Sequence, residues 1–274
     1  MSVVRIIKIV VFGALLAGAG CFFGLVLRWA GDGWEHLIPP TWDALYLGIW
    51  FLGALLAVAV TGGLVAVLLR PFWVAAVAFA VSALAVFLTW EISVVSIVVA
   101  VIYLLMGVVY VAGVRREIEN RIRFSVWHIM RSQLILLVML TALACTSLYF
   151  GYSAEIERVG FSIPEETVDW VVETADEHII DRILPDETTP EERQDALEEL
   201  RDYLEDDIES DIQPYEGYIP VGLAAIVFGV LTPATFIISW IPLLILSLAF
   251  LILIRFGVVE KVAKAVEVIR LSIE

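Results

Sequence analysis

Residues 217–254 read "GYIPVGLAAIVFGVLTPATFIISWIPLLILSLAFLILI", 38 positions without a charged side chain. As a straight helix this run is about 57 Å long, against the roughly 30 Å of hydrocarbon in a bilayer. One crossing leaves a surplus, and two leave too little chain for the turn between them. The stretch "LTPATF" at 231–236 offers a division, because Thr232 followed by Pro233 is a helix-start signal. It separates a short piece, 219–231, from a full-length piece, 233–254. Two readings stand. In the first, a short helix in the outer leaflet turns a corner at Thr232–Pro233 and the chain crosses once. In the second it crosses twice, which suits a short piece that is apolar all round. Arg255, Lys261, Lys264 and Arg270 follow the run, and their preference for the cytoplasm favours the single crossing with an inside C-terminus. Pro242 is expected to kink the long piece, since its missing N–H leaves a carbonyl one turn earlier unpaired.

Upstream, the same length test finds apolar runs near 6–29, 45–69, 71–89, 92–113 and 133–150. Arg70-Pro71 divides the second run from the third, and Trp90-Glu91 the third from the fourth; a proline helix start, a charge and an indole all suit the interface. With 61% hydrophobic residues among 274, gathered in long blocks, the chain belongs to the membrane class. The fold expected is all-α, a polytopic transmembrane helical bundle of six or seven membrane helices. The start "MSVVRIIKIVVFGALLAGAGC" resembles a signal peptide, but the apolar run continues past Cys21, so 6–29 is read as a retained helix. Cys21 and Cys145 both lie in apolar runs and indicate no redox compartment.

Charge sets the orientation. The connection 114–131 carries Arg115, Arg116, Arg121, Arg123 and Arg131, whereas "GDGWEHLIPPTWD" at 31–43 has no Lys or Arg. Arg-rich short loops stay in the cytoplasm, and Arg5 and Lys8 place the N-terminus there too. Five crossings over residues 1–151 then deliver residues 152–218 to the extracytoplasmic side. Residues 152–216 hold 23 of the 32 acidic residues against four arginines, a balance of −19, while the rest of the chain is net basic. This acidity gives no attraction to nucleic acid.

The exported segment has helical patterning. Ser162 and Glu165 stand in capping-box spacing ahead of a stripe of Val168, Val171, Val172, Ala175, Ile179 and Ile183. Thr189, Pro190 and Glu192 repeat the device ahead of Leu197, Leu200, Leu204 and Ile208. With a turn at 185–189, the reading is an acidic helical hairpin over 152–218. A C-terminal membrane segment follows at 219–256, and an amphipathic tail at 257–274 suits the inner membrane surface.

Candidate sites are few. A transporter or pump is expected to carry an ionisable residue at mid-depth, and none of the runs does. Arg28 and Glu91 fall near outer ends and form a candidate ion pair, with snorkelling as the plainer account. Gly13, Ala17, Gly20 and Gly24, and then Gly53, Ala57 and Thr61, repeat small residues at or near every fourth place, which suits close packing within this chain. Gly62-Gly63 is a candidate flexible point. His36, His128 and His178 are scattered and imply no metal site, and no cofactor is implied. The acidic run 205–211 lacks the Gly and Glu positions of a calcium loop and reads as a solvated face. Helix serines and threonines such as Ser82, Ser96 and Thr141 have no basic partner nearby in sequence, so no enzyme is expected. The basic stretch 121–131, with Phe124, Val126, Trp127 and Ile129, reads first as an ordinary inside anchor, with a surface for anionic lipid or a partner as the alternative.

The chain resembles a set of uncharacterised multi-pass membrane proteins of small-genome bacteria. The resemblance is carried by "NRIRFSVWHIMR", an apolar helix ending "SLYFGY", an "IP" before the acidic region, and "LILIRFGVVEKV" with "VIRLSI". It covers roughly the C-terminal 160 residues and implies the architecture alone. The function expected is a non-catalytic interaction or assembly platform in the cell membrane. Its partners are membrane lipids and another membrane or extracytoplasmic protein. The alternative is a channel or small-solute transporter using Thr232, Pro233 and Pro242 as a helix break.

Overall fold

The computed structural model describes residues 3–32, 42–119, 126–160, 165–175, 190–204 and 213–257. Its regular elements are helices: α1 (Val3–Asp32), α2 (Trp42–Leu68), α3 (Phe72–Thr89), α4 (Val94–Glu119), α5 (Met130–Val159), α6 (Glu165–Ala175), α7 (Pro190–Asp202), α8 (Ile219–Ile238) and α9 (Trp240–Arg255). Single 3-10 stretches precede α5 (Val126–Ile129) and α8 (Gln213–Tyr218). Six segments are long and apolar enough to cross a membrane: Ile6–Asp32, Leu45–Leu68, Phe72–Thr89, Val94–Ile118, Met130–Arg158 and Pro214–Arg255. The chain is therefore an all-α polytopic membrane protein. Several helices outrun their apolar runs, α4 by six residues and α5 by nine at its C-terminal end, because helical hydrogen bonds do not end where the hydrocarbon does.

The last segment corrects the sequence reading. α8 passes through Thr232 and Pro233 without a corner and ends at Ile238. The one residue before α9, Ser239, has φ −58° and ψ −21°, which are helical values, so the chain does not reverse. A proline inside a helix costs about 3 kcal/mol. A corner in hydrocarbon would strip several backbone groups of their partners at several kcal/mol each, so the continuous helix wins. The interruption falls where the ring of Pro242 meets the carbonyl four residues earlier, that of Ile238. At the interruption Ser239 donates both its backbone N–H and its Oγ–H to the Phe236 carbonyl, at 3.3 and 2.8 Å. Pro242 itself lies in the first turn of α9, where a missing N–H costs little. In the variant Pro242→Ala, α8 and α9 are expected to join. Hydrogen–deuterium exchange should then show the amides of 238–242 gaining protection.

The chain divides into two compact units. The first comprises residues 1–25, 53–141 and 231–274. In it α1 lies along α3. A Cβ on Gly20 would stand 2.7 Å from the Ser82 carbonyl oxygen, and one on Gly24 the same distance from that of Val86. Four-residue spacing keeps both glycines on one face, and the constant offset of 62 makes the two helices parallel. On α4, Tyr103, Gly107 and Tyr110 share a face by helical periodicity. The Phe79 ring of α3 settles on Gly107, its centroid 6.4 Å from each tyrosine ring. Gly62 and Gly63 are helical and packed rather than a flexible point. A Cβ on Gly62 would stand 3.2 Å from Phe79, and one on Gly63 2.6 Å from Leu246.

The second unit comprises residues 26–52 and 142–230. Here the backbones of α1 and α5 meet: a Cβ on Gly151 would stand 2.8 Å from Gly31 Cα. One turn earlier, Ser147 donates its hydroxyl to the Leu27 carbonyl at 2.6 Å, and Trp29 meets Trp50 edge-on at 6.2 Å. α6 and α7 touch, with Arg201 of α7 paired to Asp169 of α6. Val168 and Ala175 are the buried members of the α6 stripe, and Val171 and Val172 are half-buried. Leu197, Leu200 and Leu204 are half-buried, whereas Asp195, Glu198 and Glu199 of α7 are exposed. Ile179, Ile183, Ile208, both cap residues Ser162 and Thr189, and the tail beyond 257 lie outside the described residues.

Candidate functional site

A polar group inside a membrane helix is costly unless it is paired, so a buried polar cluster marks specific packing or function. Among the described residues of the first unit, three such clusters link one helix to another. In the first, Ser82 on α3 donates to the Leu16 carbonyl of α1 at 3.0 Å and lies 3.0 Å from the Tyr103 hydroxyl of α4. With the Ser82 proton committed to Leu16, the Tyr103 hydroxyl is the donor in the second bond. These two bonds tie α1, α3 and α4 where Gly20 lets the backbones approach.

In the second, the Tyr110 hydroxyl donates to Gln133 Oε1 at 2.5 Å, from α4 to α5. Gln133 is fully buried, and its Nε2 has no partner. Two turns along α4 from Tyr110, and on the same face, Glu117 has a buried Oε2 without a partner. In the third, Thr141 on α5 and Thr235 on α8 face each other at 3.4 Å, each also hydrogen-bonded to its own helix. Thr232, one turn from Thr235, has a buried, unpartnered Oγ1, and Ser239 is buried one turn the other way. Gln133 and Thr141 lie about 12 Å apart along α5. These residues make a discontinuous seam on α4, α5 and α8, its two parts separated along α5 and turned about 80° from each other. It offers hydroxyl and carboxamide donors and acceptors, with a carboxylate at the Glu117 end.

The residues singled out from sequence are distributed differently. Thr232 belongs to the seam, while Pro233 lies inside α8 and Pro242 in the first turn of α9. Arg28 sits 3.7 Å from Asp32 one turn on, and both are exposed. Glu91 is exposed. The pair Arg28 makes within its own helix is local, of the i,i+4 kind. Arg115 donates to the Leu69 carbonyl at 2.7 Å and stacks 5.3 Å over the Phe72 ring, so it fixes the α2–α3 corner. Arg116 and Arg131 are exposed. Arg121 and Arg123 lie outside the described residues, as do His36, His178 and the acidic run 205–211. Among the described residues no group of three or more His, Cys, Asp or Glu gathers to hold a metal.

The sequence reading missed Tyr110, Gln133 and Glu117. The signal was present, since Tyr103, Gly107, Tyr110, Val114 and Glu117 follow one another at spacings of four and three along one face of α4.

Fold and seam together define a class: an all-α multi-pass membrane protein with hydrogen-bonding groups buried between its helices. Compared with family models, curated proteins and solved structures, the chain matches none.

Proposed function

We propose that the chain is a non-catalytic membrane platform that displays the acidic helices α6 and α7 outside the cell membrane to a basic partner protein. The observation carrying this reading is the segregation of charge: residues 152–216 concentrate 23 of the 32 acids, with Asp169, Glu173, Asp195, Glu198 and Glu199 exposed. The Arg201–Asp169 pair supports a hairpin, since it holds one helix to the other while Glu173, Asp195, Glu198 and Glu199 are exposed. Trp170, 43% exposed beside Asp169, adds an aromatic anchor of the kind that centres protein interfaces. The orientation rests on the arginines of 114–131 and on Arg5 and Lys8, which keep the N-terminus in the cytoplasm.

The test is cross-linking and recovery from native membranes with the full chain and with residues 160–212 deleted. A partner recovered only by the full chain is expected, with recovery falling as salt screens the carboxylates. Equal recovery by both forms overturns the reading.

A second reading, a path for a small uncharged polar solute, is favoured by one observation: the unpartnered Gln133 Nε2 and Thr232 Oγ1 belong to a seam that adjoins the interruption at Ser239. Flux into proteoliposomes separates the two readings.

A further inference from the structure

We infer that the threonines joining α5 to α8 bind one sodium ion at mid-membrane. Thr141 stands at the middle of the apolar run 133–150, and its Oγ1 lies 3.4 Å from that of Thr235. Both residues are fully buried. Each hydroxyl gives its proton to the carbonyl four residues back on its own helix, Thr141 to Leu137 at 3.0 Å and Thr235 to Leu231 at 2.7 Å. Those bonds are the shorter ones, so the protons sit in them and the two oxygens turn lone pairs toward each other. Thr232, three residues before Thr235 on the same face of α8, adds a buried Oγ1 without a partner. Acceptors gathered in hydrocarbon call for a donor or a cation.

Distance decides between them. A water molecule donating to both oxygens at about 2.8 Å, with its near-tetrahedral angle, holds them about 4.5 Å apart. Neighbouring oxygens around an octahedral ion stand about 1.4 times the ion–oxygen distance apart, which is about 3.3 to 3.7 Å for an ion of calcium's size and about 2.9 Å for magnesium. The separation of 3.4 Å matches the first. Charge chooses within that size. Calcium is held by carboxylates, and burying a double charge among neutral hydroxyls costs far more than burying a single one. Sodium has calcium's radius and one charge. The three threonine oxygens form one face of its shell, and water completes the other. The position agrees, because cation sites in transporter bundles lie near the midplane beside interrupted helices, and α8 is interrupted at Ser239, one turn beyond Thr235. The site uses no residue of α6 or α7 and needs no solute passage, so neither reading above decides it.

Binding of radioactive sodium to the purified full chain, in choline chloride at constant ionic strength, tests this. One saturable site per chain is expected, and displacement should take about tenfold more potassium than unlabelled sodium. Thr141→Val with Thr235→Val removes both facing oxygens and should abolish the binding, whereas Thr61→Val, which removes a hydroxyl bonded within α2, should leave it unchanged. Thr232→Val removes a hydroxyl that has no partner, so it should melt no lower than the parent, yet hold sodium about tenfold more weakly. Lack of a saturable site in the parent overturns the inference, as does equal displacement by potassium, or undiminished sodium binding by either the valine pair or Thr232→Val. Melting in choline shows that each variant is folded, and sodium should raise the melting temperature of the parent but not that of the valine pair.

Discussion

Replacing Gly151 with valine should destabilise the second unit by about 3 kcal/mol or more, among the largest effects of any single change. The reason is that the obstacle is backbone. A Cβ on Gly151 would stand 2.8 Å from Gly31 Cα and 2.9 Å from its carbonyl carbon, with the carbonyl oxygen nearer still. A flexible side chain could swing aside, but a helix backbone moves only if α1 and α5 separate. Separation also breaks the 2.6 Å bond from Ser147 to the Leu27 carbonyl one turn away. In hydrocarbon that bond has no water to replace it, and close approach of small residues is what holds membrane helices together. The same substitution at Gly18, which has nothing within 4 Å, should cost little and serves as the control. Melting of the purified protein followed by light scattering reads both.

The second large effect concerns the Tyr110–Gln133 bond, and its sign depends on whether one or both partners are changed. Tyr110→Phe leaves the fully buried Gln133 carboxamide without its donor, and Gln133→Leu leaves the Tyr110 hydroxyl without its acceptor. Each single variant should lose about 1 to 2 kcal/mol. The double variant removes every polar atom of the pair, including the unpartnered Nε2, so its stability should return close to that of the parent. The melting temperatures of the four forms give the coupling directly. If the seam serves solute passage, the stable double variant should still lose flux, which separates packing from transport.

The positions of the membrane helices were legible because long apolar blocks tolerate only one arrangement in a bilayer. The helix ends were less so: Glu117 reads as part of an Arg-rich loop, yet α4 continues beneath it to Glu119. Gln133 stands at the edge of an apolar run and looks interfacial, but α5 begins three residues earlier and carries it inside. The glycines at 20 and 24 were legible as packing residues, since spacing by four says which face is small. What they pack against is a property of tertiary contact and is not written in α1. Thr232-Pro233 misled because the start signal was read from two residues, whereas the surrounding hydrocarbon penalises any break that leaves backbone groups unpaired. Arg28 was read without Asp32, the carboxylate four residues away on the same helix with which it pairs.

The central claim is that the Arg-rich connection and the acidic helices lie on opposite sides of the membrane. Single cysteines placed by Asn120→Cys or Asp195→Cys, in a chain carrying Cys21→Ala and Cys145→Ala, test it with a membrane-impermeant maleimide on intact cells. Position 195 should label at once and position 120 only after the membrane is opened. Labelling of 120 with protection of 195 in intact cells contradicts the account.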